Sequence, residues 1–366
     1  MAMNPIEADI RRRIARAGPM PVWQYVSLCL THPEHGDYMT RDPLGRGGDF
    51  VTAPEISQMF GELIGLWAAA AWQAMGAPEN VRLVELGPGR GTMMADALRA
   101  ARVVPEFRKA VVAHLVEVSP TLQQRQQQTL AELDVPILWH RSFDEVPAGP
   151  LIILANEFLD AIPVYQAVKQ LNGWYERVVE IDGAGHLAFS VADEPIRLFE
   201  QLLPPQVRDA PIGAIYEWRP DSLPLELARR VMRDGGAGLI VDYGHVGSAA
   251  GETLQAIGRH TYADLLSTPG EVDLTAHVDF EILAHTIESL GARVQGPVEQ
   301  ATFLRRLGID KRAVALKATV ASAEKAAAVD AATARLTAAG ATGMGTLFKV
   351  MAFGEPKLGV LPGFET

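Results

Sequence analysis

The chain of 366 residues has a single cysteine, Cys29, which excludes an internal disulfide framework and a zinc site built from several cysteines. No apolar run approaches the roughly 20 residues that a membrane-spanning helix needs. The net charge of -11 argues against nonspecific binding to nucleic acid through a basic surface. We therefore expect a globular protein in a reducing, cytoplasmic compartment, with no membrane span, no nucleic-acid partner and no metal site.

The middle of the sequence alternates between short apolar segments and helical patterns. Residues 81–86, 111–118, 136–139 and 151–155 are typical of buried strands, and helical patterns stand at 92–101 and 123–133. Such alternation predicts an α/β fold with a parallel sheet and helices on both of its faces. Residues 164–192 instead indicate a β meander, with turn signals at Asn172-Gly173 and Asp182-Gly183.

Two parts are predicted along the chain. Residues 1–80 form an N-terminal helical region with helices near 6–17, 22–30 and 54–75, interrupted by a loop rich in Gly, Pro and Asp. Residues 81–366 form the sheet domain, which carries an insertion at about 164–220. Toward its end we predict a strand at 239–242, a helix at 280–290, a long alanine-rich helix over 311–339 and a last strand at 347–353.

A glycine-rich loop, Glu-Leu-Gly-Pro-Gly-Arg-Gly, occupies residues 85–91, where the first strand turns into a helix. Glycine allows close approach of the backbone to a ligand, and a helix N-terminus favours a carboxylate or a phosphate. The dinucleotide pattern G-x-G-x-x-G would need a third glycine where Thr92 stands. The spacing G-x-G-x-G, with an acid two positions earlier, is typical of methyltransferases. A tight turn without a ligand is the alternative. The residues predicted to bind S-adenosyl-L-methionine here are Glu85, Gly87, Pro88, Gly89 and Gly91.

The next two strands end in further candidates for the cofactor site. Glu117 follows the second strand, where a carboxylate can accept two hydrogen bonds from a ribose diol. A surface glutamate that closes the strand is the alternative. After the third strand, Asp144 is predicted to meet the adenine amino group, and Phe143 to pack on the adenine ring.

Asn156 and Glu157 directly follow the wholly apolar fourth strand, at the sheet edge where α/β proteins bind ligands. They are predicted to contact the acceptor or the methionine end of the cofactor, and Asn156 is counted with the cofactor residues too. The alternative is that Glu157 and Asp160 cap the following turn. If the acceptor is a guanidinium, it keeps its charge because its pKa exceeds about 12, and carboxylates can bind it and take the proton as transfer proceeds. Candidate carboxylates in loops or at strand ends are Asp49, Glu55, Glu157, Asp160, Asp242 and Asp273.

The sequence resembles the MidA family, which includes mitochondrial complex I assembly methyltransferases. The likeness is carried by residues 48–62, 85–91, 117–120, 156–163, 241–244 and 273–280, among them the segment Asn-Glu-Phe-Leu-Asp-Ala-Ile-Pro. It implies a class I S-adenosylmethionine-dependent methyltransferase, with a Rossmann-like mixed seven-stranded sheet, an N-terminal helical region and an inserted β meander. It also implies symmetric dimethylation of an arginine in the 49-kDa-type subunit of respiratory complex I, as described for mitochondrial members.

With this resemblance the candidate roles can be assigned. Asp49 and Glu55 are expected to point inward from a lid-like loop, which is otherwise a plain glycine-rich connector. His277 is expected to line the acceptor pocket, although a lone histidine in this setting is also a common structural residue. The predicted catalytic residues are Glu157, Asn156, Asp49 and Asp242. The predicted acceptor-binding residues are Glu55, Asp160, Asp273 and His277.

The sequence thus predicts a protein-arginine methyltransferase that acts on a protein partner and supports assembly of complex I. We expect it in the cytoplasm of a bacterium, or in the mitochondrial matrix of a eukaryote. Two alternatives are a small-molecule methyltransferase and a noncatalytic assembly module that binds the cofactor. The sequence leaves open the oligomeric state, the acceptor in this organism and the number of methyl groups added.

Overall fold

The computed structural model describes residues 4–40, 51–258, 261–340 and 343–365. Its helices are α1 Pro5–Ala17, α2 Val22–Thr31, α3 Asp37–Thr40, α4 Ala53–Ile56, α5 Gln58–Ala74, α6 Thr92–Ala100, α7 Pro105–Ala110, α8 Pro120–Leu130, α9 Phe199–Leu202, α10 Pro205–Arg208, α11 Ser222–Asp234, α12 Phe280–Glu288, α13 Gln300–Leu307, α14 Ile309–Lys317 and α15 Ala323–Thr337. Its strands are β1 Met20–Pro21, β2 Val81–Leu86, β3 Val111–Val116, β4 Ile137–His140, β5 Leu151–Asn156, β6 Tyr165–Gln170, β7 Gly173–Ile181, β8 Leu187–Pro195, β9 Ile215–Trp218, β10 Gly236–His245, β11 Gln255–Gly258, β12 Thr261–Ala263, β13 Asp273–Thr275, β14 Val278–Asp279, β15 Arg293–Glu299 and β16 Phe348–Gly354. Within these described ranges, no helix combines the length and the apolar character needed to cross a bilayer.

The chain folds into two compact units, each assembled from separate stretches of sequence. The first unit comprises the described parts of residues 1–50, 160–220 and 245–281, and the second those of residues 51–159, 221–244 and 282–366. This division differs from the predicted boundary after residue 80. Helices α4 and α5 belong with the sheet that follows them, whereas α1 and α2 group with the predicted meander.

Two glycines explain why α5 belongs to the second unit. A methyl group on Gly65 would lie 2.5 Å from the Cα atom of Ala97, and one on Gly61 would lie 2.7 Å from the Cβ atom of Asp96. Both contacts are with α6, so the absence of side chains at Gly61 and Gly65 lets the two helices pack closely against each other. Because α6 begins directly after the glycine-rich loop, the packing of α5 on α6 also helps to fix the end of that loop.

The sheet of the second unit follows the order β15-β16-β10-β5-β2-β3-β4. Strands β10, β5, β2, β3 and β4 are parallel, and β16 runs antiparallel to both β10 and β15. Every residue of the central strand β5 is buried, as its unbroken apolar run predicts. The predicted α/β fold with a mixed sheet is confirmed, and seven strands form the main path of that sheet. Its parallel part places the carboxyl ends of β10, β5, β2 and β3 side by side.

The first unit is built on an antiparallel sheet in the order β1-β7-β6-β9, with β8 paired to β7. The predicted meander corresponds to β6, β7 and β8. Helices α1 and α2 contribute Ile10, Tyr25 and Cys29 to a core that also contains Val179 and Leu274. Cys29 is buried in this core. A three-stranded sheet, β12-β11-β13, was not predicted.

The helix predicted over residues 311–339 is wrong as a single element. It is two helices, α14 and α15, separated by residues 318–322. The hydroxyl of Thr319 donates to the carbonyl oxygen of Leu316. Ser322 is the N-cap of α15, and its side chain accepts a hydrogen bond from the backbone N–H of Lys325. The polar residues Thr319 and Ser322 interrupt the alanine pattern at this break. Strand β15 and helix α13 were also missed.

The contact between α5 and α6 can be tested with Gly65→Ala. Alanine gains about 1 kcal/mol of helix propensity, but its methyl group overlaps the α6 backbone, so we expect a net loss of about 1–3 kcal/mol in the free energy of unfolding. The measurement is urea denaturation. Gly247→Ala is the control, because a methyl group there meets no atom within 4 Å. Equal stability of Gly65→Ala and the wild type would contradict the close contact.

Candidate functional site

Four carboxylates lie along one edge of the second unit's sheet. Glu157, Glu85 and Glu117 lie at or next to the ends of the adjacent parallel strands β5, β2 and β3. Asp242 directly follows Val241, the last residue of β10 that pairs with β5. This is the carboxyl edge, where open α/β sheets bind their ligands. The structure therefore brings together the predicted cofactor loop, the predicted ribose acceptor Glu117 and the pair Asn156 and Glu157.

The glycine-rich loop holds a backbone conformation that ordinary side chains avoid. Gly87, Gly89 and Gly91 have φ angles of 61°, 53° and 80°. A side chain on Gly87 would also come within 2.6 Å of the ring of Phe158. Gly91 is the N-cap of α6 and provides no side-chain cap, so the helix N-terminus presents backbone N–H groups. This arrangement suits the carboxylate of an amino acid moiety.

Glu85 is a buried carboxyl group, with only 3% of its surface exposed. Its Oε2 atom has no hydrogen-bond partner within the described part of the chain. Burial, aided by the charge of Glu117, raises the pKa of Glu85 to about 8. Such a group is stabilised by a ligand that brings positive charge. S-adenosyl-L-methionine carries an ammonium and a sulfonium, so the residues present fit this cofactor.

Glu117 is fixed by two hydrogen bonds. Its Oε1 accepts from the backbone N–H of Ser119 at 2.8 Å, and its Oε2 accepts from Nε2 of Gln126 at 3.0 Å. Burial raises the pKa of Glu117, and both hydrogen bonds oppose that rise. An oriented carboxylate with further acceptor capacity on each oxygen fits the two hydroxyl groups of a ribose.

Phe143 and Asp144, the residues predicted to contact the adenine, differ in burial. Phe143 is buried in a single turn after β4, and the Cζ atom of Arg230 lies 5.2 Å from the centroid of its ring. The neighbouring Asp144 is exposed. The roles of Phe143 and Asp144 toward the adenine remain predictions.

Glu157 adopts a left-handed backbone conformation, with a φ of 49°, which is uncommon for a residue other than glycine. Its N–H donates to the carbonyl oxygen of Val241 at 2.9 Å. Its Oε1 accepts from the N–H of Ala53 at 2.9 Å and from Nδ2 of Asn156 at 3.1 Å. The Oδ1 atom of Asn156 is buried and has no hydrogen-bond partner among the described residues. Strained backbone at a ligand-binding edge indicates a position maintained for function.

Asp242 holds the turn that follows Glu157. Its Oδ2 accepts from the N–H groups of Phe158 and Leu159 at 3.2 and 2.9 Å, and its Oδ1 accepts from the N–H of Tyr243 at 2.9 Å. These contacts make it a positioning residue for the loop. Its predicted direct role toward a guanidinium remains a prediction.

Glu55 contacts the cofactor loop. Its Oε1 accepts from the hydroxyl of Thr92, the first residue of α6, and its Oε2 lies 3.5 Å from Nη1 of Arg90. Helix α4 is thereby linked to Arg90 within the loop and to Thr92 directly after it. The predicted role of Glu55 in acceptor binding remains a prediction. Asp49 lies outside the described residues.

The other predicted acceptor residues belong to the first unit, where Asp160 and Asp273 lie near a tyrosine, Tyr38, that the sequence did not mark. Tyr38 donates its hydroxyl to Oδ1 of Asp273 at 2.8 Å. Burial raises the pKa of Tyr38 well above its usual value, and the charges of Asp273, Asp160 and Asp37 add to the effect. All three aspartates are buried. The first unit therefore gathers three buried carboxyl groups near Tyr38.

Arg219, also missed, organises the backbone of two predicted acceptor residues. Its guanidinium donates to the carbonyl oxygens of Asp160 at 3.1 Å, Ile162 at 3.1 Å, Ala276 at 2.6 Å and His277 at 2.7 Å. These acceptors lie 57 to 59 residues away along the chain. No local sequence pattern marks such a residue, because only the tertiary fold brings its partners together.

Comparisons with known proteins agree with this geometry. Residues 63–298 match a family model described as S-adenosyl-L-methionine-dependent methyltransferase. The mitochondrial protein arginine methyltransferase NDUFAF7 homolog of Drosophila melanogaster is 39% identical over 329 residues, 82% of this chain and 74% of that protein. Human protein arginine methyltransferase NDUFAF7 is 37% identical over 343 residues, 85% of this chain and 76% of that protein. A solved Burkholderia thailandensis structure, classed with methyl transferases and bound to S-adenosyl-homocysteine, has a TM-score of 0.82 and 30% identity, covering 99% of this chain and 92% of that chain. The predicted fold and the predicted cofactor are confirmed.

The burial of Glu85 predicts a pH dependence of stability in the cofactor-free protein. The folded protein keeps the proton up to about pH 8, whereas the unfolded chain loses it near 4.5. Between these values the folded state binds more protons, so its free energy of unfolding falls as pH rises, by up to about 1.4 kcal/mol per pH unit. Glu85→Gln removes this linkage and should gain stability relative to the wild type between pH 5 and pH 8.

Urea denaturation at pH 5 and at pH 8 measures this gain in the free energy of unfolding. Glu79→Gln is the matched control, because Glu79 is an exposed glutamate of the same unit. A difference between Glu85→Gln and the wild type that stays constant from pH 5 to pH 8 would show that Glu85 is already ionised in the folded protein.

Proposed function

Because the chain belongs to the family of S-adenosyl-L-methionine-dependent methyltransferases, we propose that its methyl acceptor is an arginine of a protein substrate. Relatives that are 37% and 39% identical are named protein arginine methyltransferases. The observation that carries the proposal is the carboxylate of Glu157, held in a strained backbone conformation at the carboxyl edge of the sheet.

The chemistry of an arginine acceptor requires such a carboxylate. The bound cofactor supplies a methyl group on a positively charged sulfur, which is already a strong electrophile. The protein has to align the acceptor nitrogen and exclude water. A guanidinium remains protonated at neutral pH, so Glu157 binds it through charge-assisted hydrogen bonds and takes the proton from the attacking nitrogen.

The surroundings of Glu157 favour it for this task. The Ala53 N–H and the Asn156 amide fix its carboxylate, and Asp242 fixes the two residues that follow it. A group held in place before the substrate arrives loses little entropy when it aligns a guanidinium. The buried Oδ1 of Asn156 is a neighbouring acceptor that can receive an N–H from the substrate or from the ammonium of the cofactor.

Charge supports a cationic acceptor as well. The chain has a net charge of -11, and the first unit buries Asp37, Asp160 and Asp273 around Tyr38. We propose that Asp160 and Asp273 bind the acceptor, and that Arg219 positions the backbone beside Asp160 and His277. A net negative charge attracts an arginine-bearing segment from a distance and raises its rate of encounter.

We extend the proposal to one substrate on the family resemblance. The acceptor is an arginine of the 49-kDa-type subunit of respiratory complex I, it receives two methyl groups symmetrically, and the modification supports assembly of the complex. The reaction takes place in the cytoplasm of a bacterium or in the mitochondrial matrix of a eukaryote.

Transfer of a labelled methyl group tests the arginine proposal. The purified protein is incubated with methyl-labelled cofactor and an extract of cells that lack it, and labelled proteins are hydrolysed to identify the methylated amino acid. We expect symmetric dimethylarginine. Label found only in small molecules would favour a small-molecule methyltransferase, and label in another amino acid would exclude arginine as the acceptor.

Glu157→Gln tests the catalytic carboxylate. The amide oxygen can still accept from Ala53, so the turn should remain, but the charge and the proton acceptor are lost. We expect transfer to fall about 10²–10⁴-fold while binding of S-adenosylhomocysteine, measured by calorimetry, is retained. Glu79→Gln serves as the control for loss of one carboxylate elsewhere in the unit. Transfer at the wild-type rate by Glu157→Gln would remove Glu157 from the mechanism.

A further inference from the structure

Gln126 is a fully buried glutamine that joins three strands of the sheet edge. Its Nε2 donates to the carbonyl oxygen of Gly89 at 2.8 Å and to Oε2 of Glu117 at 3.0 Å. Its Oε1 accepts from the indole Nε1 of Trp139 at 3.0 Å. One side chain on α8 therefore contacts the glycine-rich loop after β2, the carboxylate after β3 and a side chain of β4.

The orientation of this amide is fixed by chemistry. An indole N–H can only donate, so the group that faces Trp139 has to be the oxygen of Gln126. The nitrogen then faces two acceptors, the Gly89 carbonyl and the Glu117 carboxylate, and its two hydrogens match them. Either a hydrocarbon or a carboxylate at this position would leave at least one of these partners unsatisfied.

Both partners of the nitrogen belong to the cofactor site. The hydrogen bond from Gln126 lowers the pKa of Glu117 against the effect of burial, and so favours the ionised form that accepts from a diol. The contact with Gly89 holds a peptide of the loop whose left-handed conformation the cofactor site requires. Helix α8 also lies against the loop, since a methyl group on Gly91 would meet the Cα atom of Gln126 at 3.4 Å.

We propose that Gln126 is a positioning residue for the nucleoside half of the cofactor, because it sets the Glu117 carboxylate and the Gly89 peptide in one geometry and ties both to Trp139. It acts through Glu117 and contacts no reacting atom. The proposal rests on Glu117 as the ribose acceptor and is independent of the identity of the methyl acceptor.

The test compares two ligands by calorimetry, S-adenosylhomocysteine and its 2′,3′-dideoxy analogue, with the intact protein. Gln126→Met should weaken binding of S-adenosylhomocysteine about 10–100-fold, which corresponds to loss of a hydrogen bond to a charged group. Its effect on the dideoxy analogue should be much smaller, because the Glu117 carboxylate then has no diol to bind. Gln127→Met, an exposed neighbour on α8, is the matched control and should bind both ligands as the wild type does.

A double-mutant cycle with Glu117→Gln separates positioning from general support of the fold. The losses caused by Glu117→Gln and Gln126→Met should not add, since both remove the same ribose interaction. Gln126→Leu, which adds no charge beside Glu117, repeats the comparison if Gln126→Met is poorly folded by circular dichroism. Equal losses for both ligands, or additive losses in the cycle, would reduce Gln126 to a structural residue. A Glu117→Gln variant that distinguishes the two ligands as the wild type does would overturn the ribose role of Glu117 and this proposal together.

Discussion

The central constraint of this protein is the crowding of four carboxylates along one buried sheet edge. Parallel pairing brings together the ends of β5, β2 and β3, each with an acid at or beside it, and the point on β10 where Asp242 follows the last residue paired with β5. Burial and mutual repulsion destabilise such charges unless donors compensate them. Asp242 receives three backbone N–H groups, Glu157 receives one and the amide of Asn156, and Glu117 receives the Ser119 N–H and the Gln126 amide. Glu85 has no hydrogen bond to its Oε2 from the described chain, so its environment fits the cationic end of the cofactor.

Three contacts join residues 51–74 to the sheet and the glycine-rich loop of the second unit. Ala53 donates to Glu157, Glu55 accepts from Thr92, and the glycines of α5 allow it to pack on α6. The stretch from residue 51 to residue 74 is thus part of the framework of the cofactor site, although the β strands begin only at residue 81 within this unit. A boundary after residue 80, where the strand pattern starts, would separate Glu157, next to the end of β5, from Ala53, whose N–H donates to it. The division after residue 50 keeps the two in one unit.

The first unit also buries several carboxyl groups, and a guanidinium holds the backbone around them. Its buried aspartates are gathered near Tyr38, and the guanidinium of Arg219 fastens the backbone segments that carry Asp160 and His277 through four carbonyl oxygens. Hydrogen bonds of a cation to carbonyl oxygens hold the backbone in place at low dielectric. A unit organised in this way keeps acidic side chains close together, which agrees with the proposed binding of a cationic acceptor.

The sequence by itself determined the features that depend on neighbouring residues. The glycine spacing at residues 85–91, the acids after apolar strands and the turn signals of the meander are local, so they predicted the cofactor loop, Glu117, the pair Asn156 and Glu157, and the class of the fold. Gln126 stood within reach of the same reasoning, because Leu122 and Leu130 flank it at helical spacing and are buried with it. The unpredicted strands β11–β13 and β15 carry no equally clear alternation.

Only the tertiary structure decided which donors reach which acids, that Glu157 is strained, and that Tyr38 and Arg219 belong beside the predicted acceptor residues. Those contacts join segments tens to hundreds of residues apart, and their geometry depends on how whole elements pack rather than on any local pattern.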